Sequence, residues 1–418
     1  MGGSVSLITR VWKVNYPPEP PKERDALRFG ILGTPWTGSN SFITPAKSHP
    51  GVIIAAVASR DLGRGKAYAK KFSIPNVHGS YQALLEDPTI DAIYIALPNG
   101  LHYEWTIRAL KAGKHVLLEK PSVSNAIEAA SLFAYHASLP AASRPVLLEA
   151  FHARFHPAWR QFLSLTAEPE RIENVTSLFT LPKSFFPRTD IRYKYDLAGG
   201  SLMDLGTYTI AALRDVFRAE PLACTSATPK LLPKPGDQRI DVGIVADFEF
   251  PNGATGTLDA DLERKTWFGL PSIEMAKIVV KYRDVVIDDE TRAFGAPKHV
   301  MSKTVTYWGF PGPHFWHRIQ VNEKHVWLES GTEKVIEKRD KKKNFTKYVW
   351  DEGDKKGDLH WSTYRYMLDE FVCKVRGEKG TGIWVDGEDS INQMKMIDSG
   401  YEKAGLPLRP TSTYRSES

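Results

Sequence analysis

The stretch Leu27-Arg28-Phe29-Gly30-Ile31-Leu32-Gly33-Thr34-Pro35-Trp36-Thr37-Gly38 decides the fold, because a short apolar run leads directly into a turn with two glycines. Such a corner between a strand and a helix can receive a phosphate group on its backbone N–H groups. Pro35 stands where the loop fingerprint has its second glycine, and proline has no N–H. The pattern favours a phosphate-binding corner over a plain glycine loop. Its predicted contacts are Gly33, Thr34, Pro35, Trp36 and Gly38.

Apolar strands alternate with amphipathic helices on both sides of this corner, up to about residue 150. The further predicted strands are 52–58, 92–96, 115–118 and 146–150. Strands that alternate with helices are typical of βαβ units and a parallel sheet. The sequence therefore predicts a doubly wound Rossmann domain over residues 27–150.

The pattern changes after residue 151, where longer strands alternate in polarity and turns such as Pro251-Asn252-Gly253 join them. The predicted strands are 175–181, 242–250, 254–262 and 273–281, with further antiparallel strands and loops in 285–358. The predicted helices are 201–217, 362–375 and 386–404. We therefore expect a second α/β domain, 151–418, with an open and mainly antiparallel sheet and terminal helices. Residues 1–26 are predicted to form an arm that the prolines of 17–21 hold extended.

Composition and the placement of charges and cysteines argue against a nucleic-acid-binding, zinc-binding or disulfide-rich protein. The 418 residues are 42% hydrophobic and 25% charged, with a formal net charge of +6. The basic run 338–343 indicates an exposed turn rather than a nucleic-acid site. Cys224 and Cys373 are the only cysteines, which predicts neither a zinc site nor a disulfide framework and suits the reducing cytoplasm. We expect a small-molecule ligand, and no nucleic acid, membrane or metal.

Two loops that follow predicted strands indicate which cofactor binds. Ser59-Arg60-Asp61 offers a small hydroxyl and a guanidinium where an NAD-binding domain has a carboxylate for the ribose hydroxyl. A guanidinium suits a 2′-phosphate, so Ser59 and Arg60 favour NADP over NAD. Leu97-Pro98-Asn99 should overlie the nicotinamide end, with Asn99 bonding ribose hydroxyls or main chain. His102 is either a further cofactor contact or a helix cap.

Three side chains have the chemistry of a proton-transfer site. Lys120, in Glu119-Lys120-Pro121, ends a predicted strand at the sheet edge where α/β folds bind ligands. Asp204 and Tyr208 are four residues apart and share one face of a predicted helix. A phenol can give a proton to a substrate oxygen, and a nearby ammonium is expected to lower the phenol pKa. Without Lys120, Asp204 and Tyr208 would be read as ordinary cap and core residues.

These motifs, in this order and spacing, resemble the Gfo/Idh/MocA oxidoreductase family, most closely its fungal branch of NADP-dependent D-xylose dehydrogenases and dimeric dihydrodiol dehydrogenases. The resemblance runs from about Leu27 to Thr413 and includes the segment from Gly199 to Tyr208. It implies a Rossmann domain, a second domain with an open sheet that forms a homodimer, and a nicotinamide next to Lys120 and Tyr208. It also implies that Glu119 lies at the cofactor. The implied substrate contacts are Phe151, His152, Arg154, Asp204 and Tyr208.

The resemblance implies reversible hydride transfer between NADP and a hydroxyl or carbonyl carbon of a sugar or cyclic diol. Tyr208 would be the acid/base, Lys120 would orient the substrate oxygen, and Asp204 would hold Lys120 or a substrate hydroxyl. Two alternatives stay open. Pro35 suits an NADP-sensing regulator without chemistry, and some relatives keep a bound dinucleotide for sugar–sugar exchange. His314 and His317 are expected to be pocket or core residues.

Overall fold

A parallel sheet forms the first half of the protein, in a computed structural model that describes residues 7–265, 275–287, 297–332, 334–350 and 357–415. Its strands are β1 (Leu27–Leu32), β2 (Val52–Ala58), β3 (Asn76–His78), β4 (Ala92–Ile95), β5 (His115–Leu118) and β6 (Leu147–Glu149). The order β3-β2-β1-β4-β5-β6 confirms the predicted doubly wound topology. Strands β1 and β4 are parallel, and the order in which strands are added to the sheet reverses between them, so the loops after these two strands open onto one crevice.

Helices flank this sheet, and three of those in the described chain begin at side-chain caps. They are α1 (Leu7–Asn15), α2 (Thr44–Lys47), α3 (Leu62–Phe72), α4 (Tyr81–Leu85), α5 (His102–Lys111) and α6 (Ala126–Ser138). The side chains of Asp61, Ser80 and Asn125 accept hydrogen bonds from the first turns of α3, α4 and α6. Helix α1 was not predicted: the arm turns helical before its prolines, and Arg10 packs 3.2 Å from the centre of the Tyr348 ring.

A second, larger sheet carries most of the remaining chain. Its strands are β7 (Ile172–Pro182), β8 (Ala223–Leu231), β9 (Asp241–Phe250), β10 (Ala254–Arg264), β11 (Ala276–Tyr282), β12 (Val285–Val286), β13 (Lys298–Trp308), β14 (Arg318–Leu328) and β15 (Val335–Phe345). The order is β15-β14-β13-β11-β7-β10-β9-β8, with β12 paired to β13. Pairing is antiparallel except between β7 and β10, so the sheet is mixed.

Several sequence predictions meet a direct test in this sheet. The hairpin at Pro251-Asn252-Gly253 is confirmed, because Ala254 pairs with Phe250 across it. The basic run 338–343 is not a turn; it lies on β15, an exposed edge strand, where charges discourage further strand pairing. Residues 1–6 of the arm, 273 and 274 of a predicted strand, and 288–296, 333 and 351–356 of the predicted strand-and-loop region lie outside the described residues.

The later helices connect the two sheets. They are α7 (Pro157–Leu165), α8 (Thr207–Phe217), α9 (Thr363–Arg376) and α10 (Gly387–Lys403). Although we assigned the terminal helices to the second domain, they return to the first: Phe371 of α9 lies 5.7 Å from Phe29 between ring centres. Asp398 of α10 accepts a hydrogen bond from Ala126 N at 2.8 Å. Within the described part of the chain, none of the helices has the length and apolar character needed to cross a membrane.

Candidate active site

The loop after β1 has the geometry of a phosphate cradle. Gly33 adopts φ of +90°, and a Cβ there would lie 3.0 Å from the Leu97 side chain. The N–H groups of Thr34, Trp36 and Thr37 have no acceptor among the residues that the structure describes. They lie before the helical turn that starts at Ser39, where anions are favoured. Backbone donors therefore remain around Pro35, so this loop fits a pyrophosphate despite the missing glycine.

The end of β2 presents a guanidinium that lies 5.9 Å from the centre of the Tyr81 ring. Ser59 is buried, whereas Arg60 is exposed and has no carboxylate partner in the described chain. Asp61 is occupied elsewhere, because its side chain accepts the Arg64 N–H at 3.0 Å and caps α3. An unpaired arginine with no free carboxylate beside it fits a 2′-phosphate better than a 2′-hydroxyl.

The loop after β4 is fixed by a buried histidine. His102 is fully buried, with Nε2 2.8 Å from Leu97 O and Nδ1 3.0 Å from Pro121 O. Burial lowers its pKa to about 4. His102 therefore ties the loops after β4 and β5 together, and the idea that it contacts a cofactor finds no support here. Asn99, next to Pro98, donates to Ala198 O at 3.1 Å, the main-chain role that was one of its two predicted roles.

Lys120, Asp204 and Arg192 form a partly buried charge group that we call the lysine cluster. Lys120 Nζ donates to Asp204 Oδ1 at 3.0 Å and to Asp204 O at 2.9 Å. Arg192 Nε donates to Asp204 Oδ2 at 2.5 Å. Burial opposes ionisation of Asp204, but Arg192 and Lys120 outweigh it and hold its pKa well below the usual range. Asp204 is therefore an anion that fixes Lys120, and two of the three ammonium hydrogens are engaged.

Glu119 has a different place from the one predicted. Its Oε1 accepts a hydrogen bond from the Tyr94 hydroxyl at 2.5 Å, and burial raises its pKa. The side chain thus anchors the end of β5 to β4, and the prediction that it contacts a cofactor finds no support in these contacts. What it does is hold the following residue, Lys120, at the crevice.

Tyr208 lies next to the lysine cluster, as predicted from the spacing of Asp204 and Tyr208. Lys120 Nζ is 4.6 Å from the centre of its ring, and the Phe151 ring packs against it edge-on at 5.6 Å. The expectation that Lys120 lowers the tyrosine pKa is wrong for this structure. Burial, together with Tyr364, Glu119 and Asp204, raises the pKa of Tyr208 well above its ordinary value. The phenol is therefore protonated at neutral pH.

His152 is one hydrogen-bonding partner of this phenol, and Tyr364 is another. Its Nε2 lies 2.7 Å from the Tyr208 hydroxyl, and its ring stacks on Tyr364 at 3.8 Å. Its Nδ1 lies 2.8 Å from Thr363 Oγ1. Burial holds the pKa of His152 well below its ordinary value, so the imidazole is neutral. His152 was predicted as a substrate contact, but both of its ring nitrogens have protein partners.

Arg154 was also predicted to contact substrate, but the structure gives it another role. It belongs to a group that we call the arginine cluster, formed by Arg154, Arg214, Asp215 and Asp389. Its guanidinium binds Asp215 at 2.9 Å and Asp389 at a shorter distance, while Arg214 binds Asp389 at 2.7 Å. Both terminal nitrogens of Arg154 are engaged by carboxylates, so the predicted substrate contact finds no support.

The arrangement as a whole combines a cation and a neutral phenol at the carboxyl edge of a parallel sheet. The side chains of Lys120 and Asp204 keep 11% and 15% exposure, so a small molecule in the crevice can reach them. One ammonium hydrogen and one phenol hydroxyl can meet the same oxygen, which is what proton transfer to a carbonyl or from an alcohol requires. Among the described residues there is no group of three metal-binding side chains.

Comparison with known proteins also indicates an oxidoreductase. Residues 27–141 match the model of the Gfo/Idh/MocA oxidoreductase family with an NAD-binding Rossmann fold, and residues 170–269 match that of the Gfo/Idh/MocA C-terminal domain. An NADP-dependent D-xylose 1-dehydrogenase of Haloferax volcanii is 39% identical over 240 residues, 57% of this chain and 70% of the relative. A trans-1,2-dihydrobenzene-1,2-diol dehydrogenase of Mus musculus is 32% identical over 243 residues, 57% of this chain and 69% of the relative.

A solved structure extends the likeness over most of the chain. It is a 3-ketoreductase from Actinomadura kijaniata in complex with NADP and TDP-benzene. Its TM-score to this protein is 0.65 at 25% identity, covering 90% of this chain and 98% of the ketoreductase. The shared fold includes both the parallel sheet and the larger mixed sheet.

Proposed function

The chain belongs to the Gfo/Idh/MocA oxidoreductase family, and we propose that it moves a hydride between NADP and a hydroxyl-bearing or carbonyl carbon of a sugar or cyclic diol. The observation that carries this proposal is the position of Lys120 Nζ, bonded to Asp204 and 4.6 Å from the Tyr208 ring centre. A dinucleotide in the crevice would supply the hydride acceptor or donor. The protein supplies position, charge and the proton.

In this proposal Lys120 donates its third N–H to the substrate oxygen. Asp204, which is ionised, holds the ammonium in place. The Tyr208 hydroxyl meets the same oxygen and exchanges a proton with it. For reduction of a carbonyl the neutral phenol is the proton donor; for oxidation of an alcohol the phenol accepts a proton while it gives its own to His152.

The preference for NADP over NAD rests on Arg60. Its guanidinium is exposed at the end of β2 without a carboxylate partner in the described chain, and the similar Haloferax enzyme carries NADP in its name. We expect Arg60→Ala to raise KM for NADP about tenfold and to leave KM for NAD unchanged, because one charged phosphate contact is lost. Steady-state kinetics with both nucleotides test this. Arg64→Ala, four residues on in the same exposed segment, is the matched control, and an equal change for both nucleotides would contradict the assignment.

D-xylose is the first substrate to test, because the relative from Haloferax is a D-xylose dehydrogenase; a trans-dihydrodiol is the second. The protein is titrated with NADP or NAD by intrinsic tryptophan fluorescence, then given substrate while absorbance at the reduced-nicotinamide band is followed. Binding of NADP followed by its reduction supports the proposal. Binding without reduction by any sugar or diol would favour the sensing role, and no binding would contradict the cofactor assignment.

A further inference from the structure

We propose that His152, Thr363 and His314 form a proton relay that leads away from the Tyr208 hydroxyl and ends at His314. The inference rests on the proposed oxidoreductase function and adds to it the route by which the proton leaves. Thr363 was not predicted as a site residue, and His314 was expected only to be a pocket or core residue. Both reach Tyr208 through the fold: Thr363 begins α9, and His314 lies in the loop between β13 and β14.

The relay is a continuous chain of hydrogen bonds. The Tyr208 hydroxyl is 2.7 Å from His152 Nε2, and His152 Nδ1 is 2.8 Å from Thr363 Oγ1. Thr363 Oγ1 is in turn 3.2 Å from His314 Nδ1. All four residues are buried, from 0% exposure at Thr363 to 7% at Tyr208. Protein groups, rather than bulk water, therefore provide the nearest path for a proton.

One direction of donation satisfies every member with all groups neutral. Tyr208 donates its hydroxyl hydrogen to His152 Nε2, and His152 Nδ1–H donates to Thr363 Oγ1. Thr363 then donates its own hydrogen to His314 Nδ1. Each hydroxyl donates once and accepts once, and each neutral imidazole needs a hydrogen on only one of its ring nitrogens. A chain aligned in this way can pass a proton by shifting each hydrogen to the next partner.

The chemistry of alcohol oxidation needs such a route. As the carbon loses hydride to NADP, the substrate hydroxyl proton moves to the Tyr208 oxygen, and the phenol hydrogen moves to His152 Nε2. The Nδ1 hydrogen of His152 moves to Thr363, and the Thr363 hydrogen moves to His314 Nδ1. The alcohol becomes a carbonyl, NADP becomes NADPH, and His314, which is 6% exposed and has received a hydrogen on Nδ1, releases the hydrogen of Nε2 to solvent. Since burial keeps the pKa of Tyr208 high and that of His314 at about 3, neither a phenolate nor a lasting imidazolium is favoured.

Thr363 offers a clean test because only its hydroxyl is needed. Ser362 caps α9 by accepting the Arg365 N–H, so the helix start does not depend on the Thr363 side chain. The Thr363 backbone N–H also lies 3.4 Å from His314 Nδ1 and would keep that ring in place. Thr363→Val keeps the shape and removes the hydroxyl, whereas Thr363→Ser keeps the hydroxyl and removes a methyl group.

The experiment compares wild type, T363V and T363S with the whole protein, NADP and the best sugar or diol. We expect T363V to lower kcat at least about tenfold with KM for the substrate unchanged, because proton transfer slows while binding does not. Its solvent deuterium isotope effect on kcat should rise above that of wild type, and T363S should match wild type in both. Equal kcat and equal isotope effect in T363V and T363S would overturn the relay.

A second measurement does not depend on turnover. In protein labelled with nitrogen-15 in its histidines, we expect the His152 signal, assigned by its loss in H152N, to show hydrogen on Nδ1 and none on Nε2. The opposite tautomer would overturn the relay. If none of the sugars or diols lets the wild-type protein reduce NADP, the proposed function fails. The histidine spectrum then tests the relay by itself, because the hydrogen bonds of the relay are a property of the protein alone.

Discussion

The lysine cluster and the arginine cluster are two neighbouring versions of one arrangement, a cation held by aspartate over an aromatic ring. Lys120 lies over Tyr208 at 4.6 Å and Arg154 lies over Phe151 at 5.0 Å, and the two rings pack against each other. The first ring carries a hydroxyl and the second does not. The ammonium keeps one hydrogen beyond its aspartate, whereas the terminal nitrogens of the guanidinium are both engaged. Two similar ion pairs thus differ in the ring beneath the cation, and only the ring beneath Lys120 carries the hydroxyl that the proposed chemistry requires.

The largest effect that separates the clusters is expected for Asp389→Asn. It removes the partly buried carboxylate that Arg154 and Arg214 share, which should lower the free energy of unfolding by about 3 kcal/mol. Urea denaturation measures this, and kcat per folded molecule should be unchanged. Asp237→Asn, in an exposed pair with Arg239, is the control and should cost less than about 1 kcal/mol. A large loss of kcat with normal stability would place the arginine cluster in the chemistry and erase the distinction.

The next effect is the converse. Tyr208→Phe gives Lys120 a ring without a hydroxyl, like the Phe151 ring next to Arg154. We expect kcat to fall about a hundredfold because the proposed acid/base is lost. Steady-state turnover and a urea titration are measured together, since the unfolding free energy should change by no more than about 1.5 kcal/mol. Tyr282→Phe, which also loses a phenol hydrogen bond, is the control and should keep full kcat. Unchanged turnover in Tyr208→Phe would remove tyrosine from the mechanism.

A smaller effect comes from Glu149, a buried carboxylate near the arginine cluster that binds Ser122 N and Ser390 Oγ rather than a cation. Burial raises its pKa from 4.5 to about 7, opposite in direction to the shift of Asp204. The folded protein therefore keeps a proton that the unfolded chain releases above about pH 4.5. Stability from this group is present below that pH and is lost as pH rises towards about 7.

Glu149→Gln should remove that dependence. Between pH 5 and 7 the unfolding free energy of wild type should fall relative to the variant, by at most about 1.4 kcal/mol per pH unit. Urea denaturation across this range measures the difference. Parallel pH profiles of the two proteins would show that Glu149 ionises as an ordinary carboxylate, and the contrast with Asp204 would disappear.

The sequence alone predicted the parts of the site that follow from local pattern. Lys120 follows a strand, and Asp204 and Tyr208 share a helix face, so local geometry placed each of them, while the family resemblance implied that Lys120 lies next to Tyr208. Arg192 and Thr363 were missed because one lies in a short loop turn and the other starts a helix 155 residues beyond Tyr208, and no local periodicity marks either. The ligand contacts predicted for Arg154 and considered for His102 found no support, for the converse reason. Their neighbours in sequence belong to the site, but the partners that engage them come from elsewhere in the fold.

Helices α9 and α10 delay the completion of the first domain during synthesis. Phe29 packs on Phe371, and Ala126 bonds Asp398, so the Rossmann sheet is covered by chain made more than 200 residues later. At ribosomal speeds of about 5–20 residues per second, that interval is on the order of 10–50 s. During it the apolar face around Phe29 has left the ribosome without its cover. A newly made chain thus exposes an apolar surface until α9 and α10 have been synthesised and pack onto it. The speed of translation through the second domain sets how long that surface can bind chaperones or aggregate.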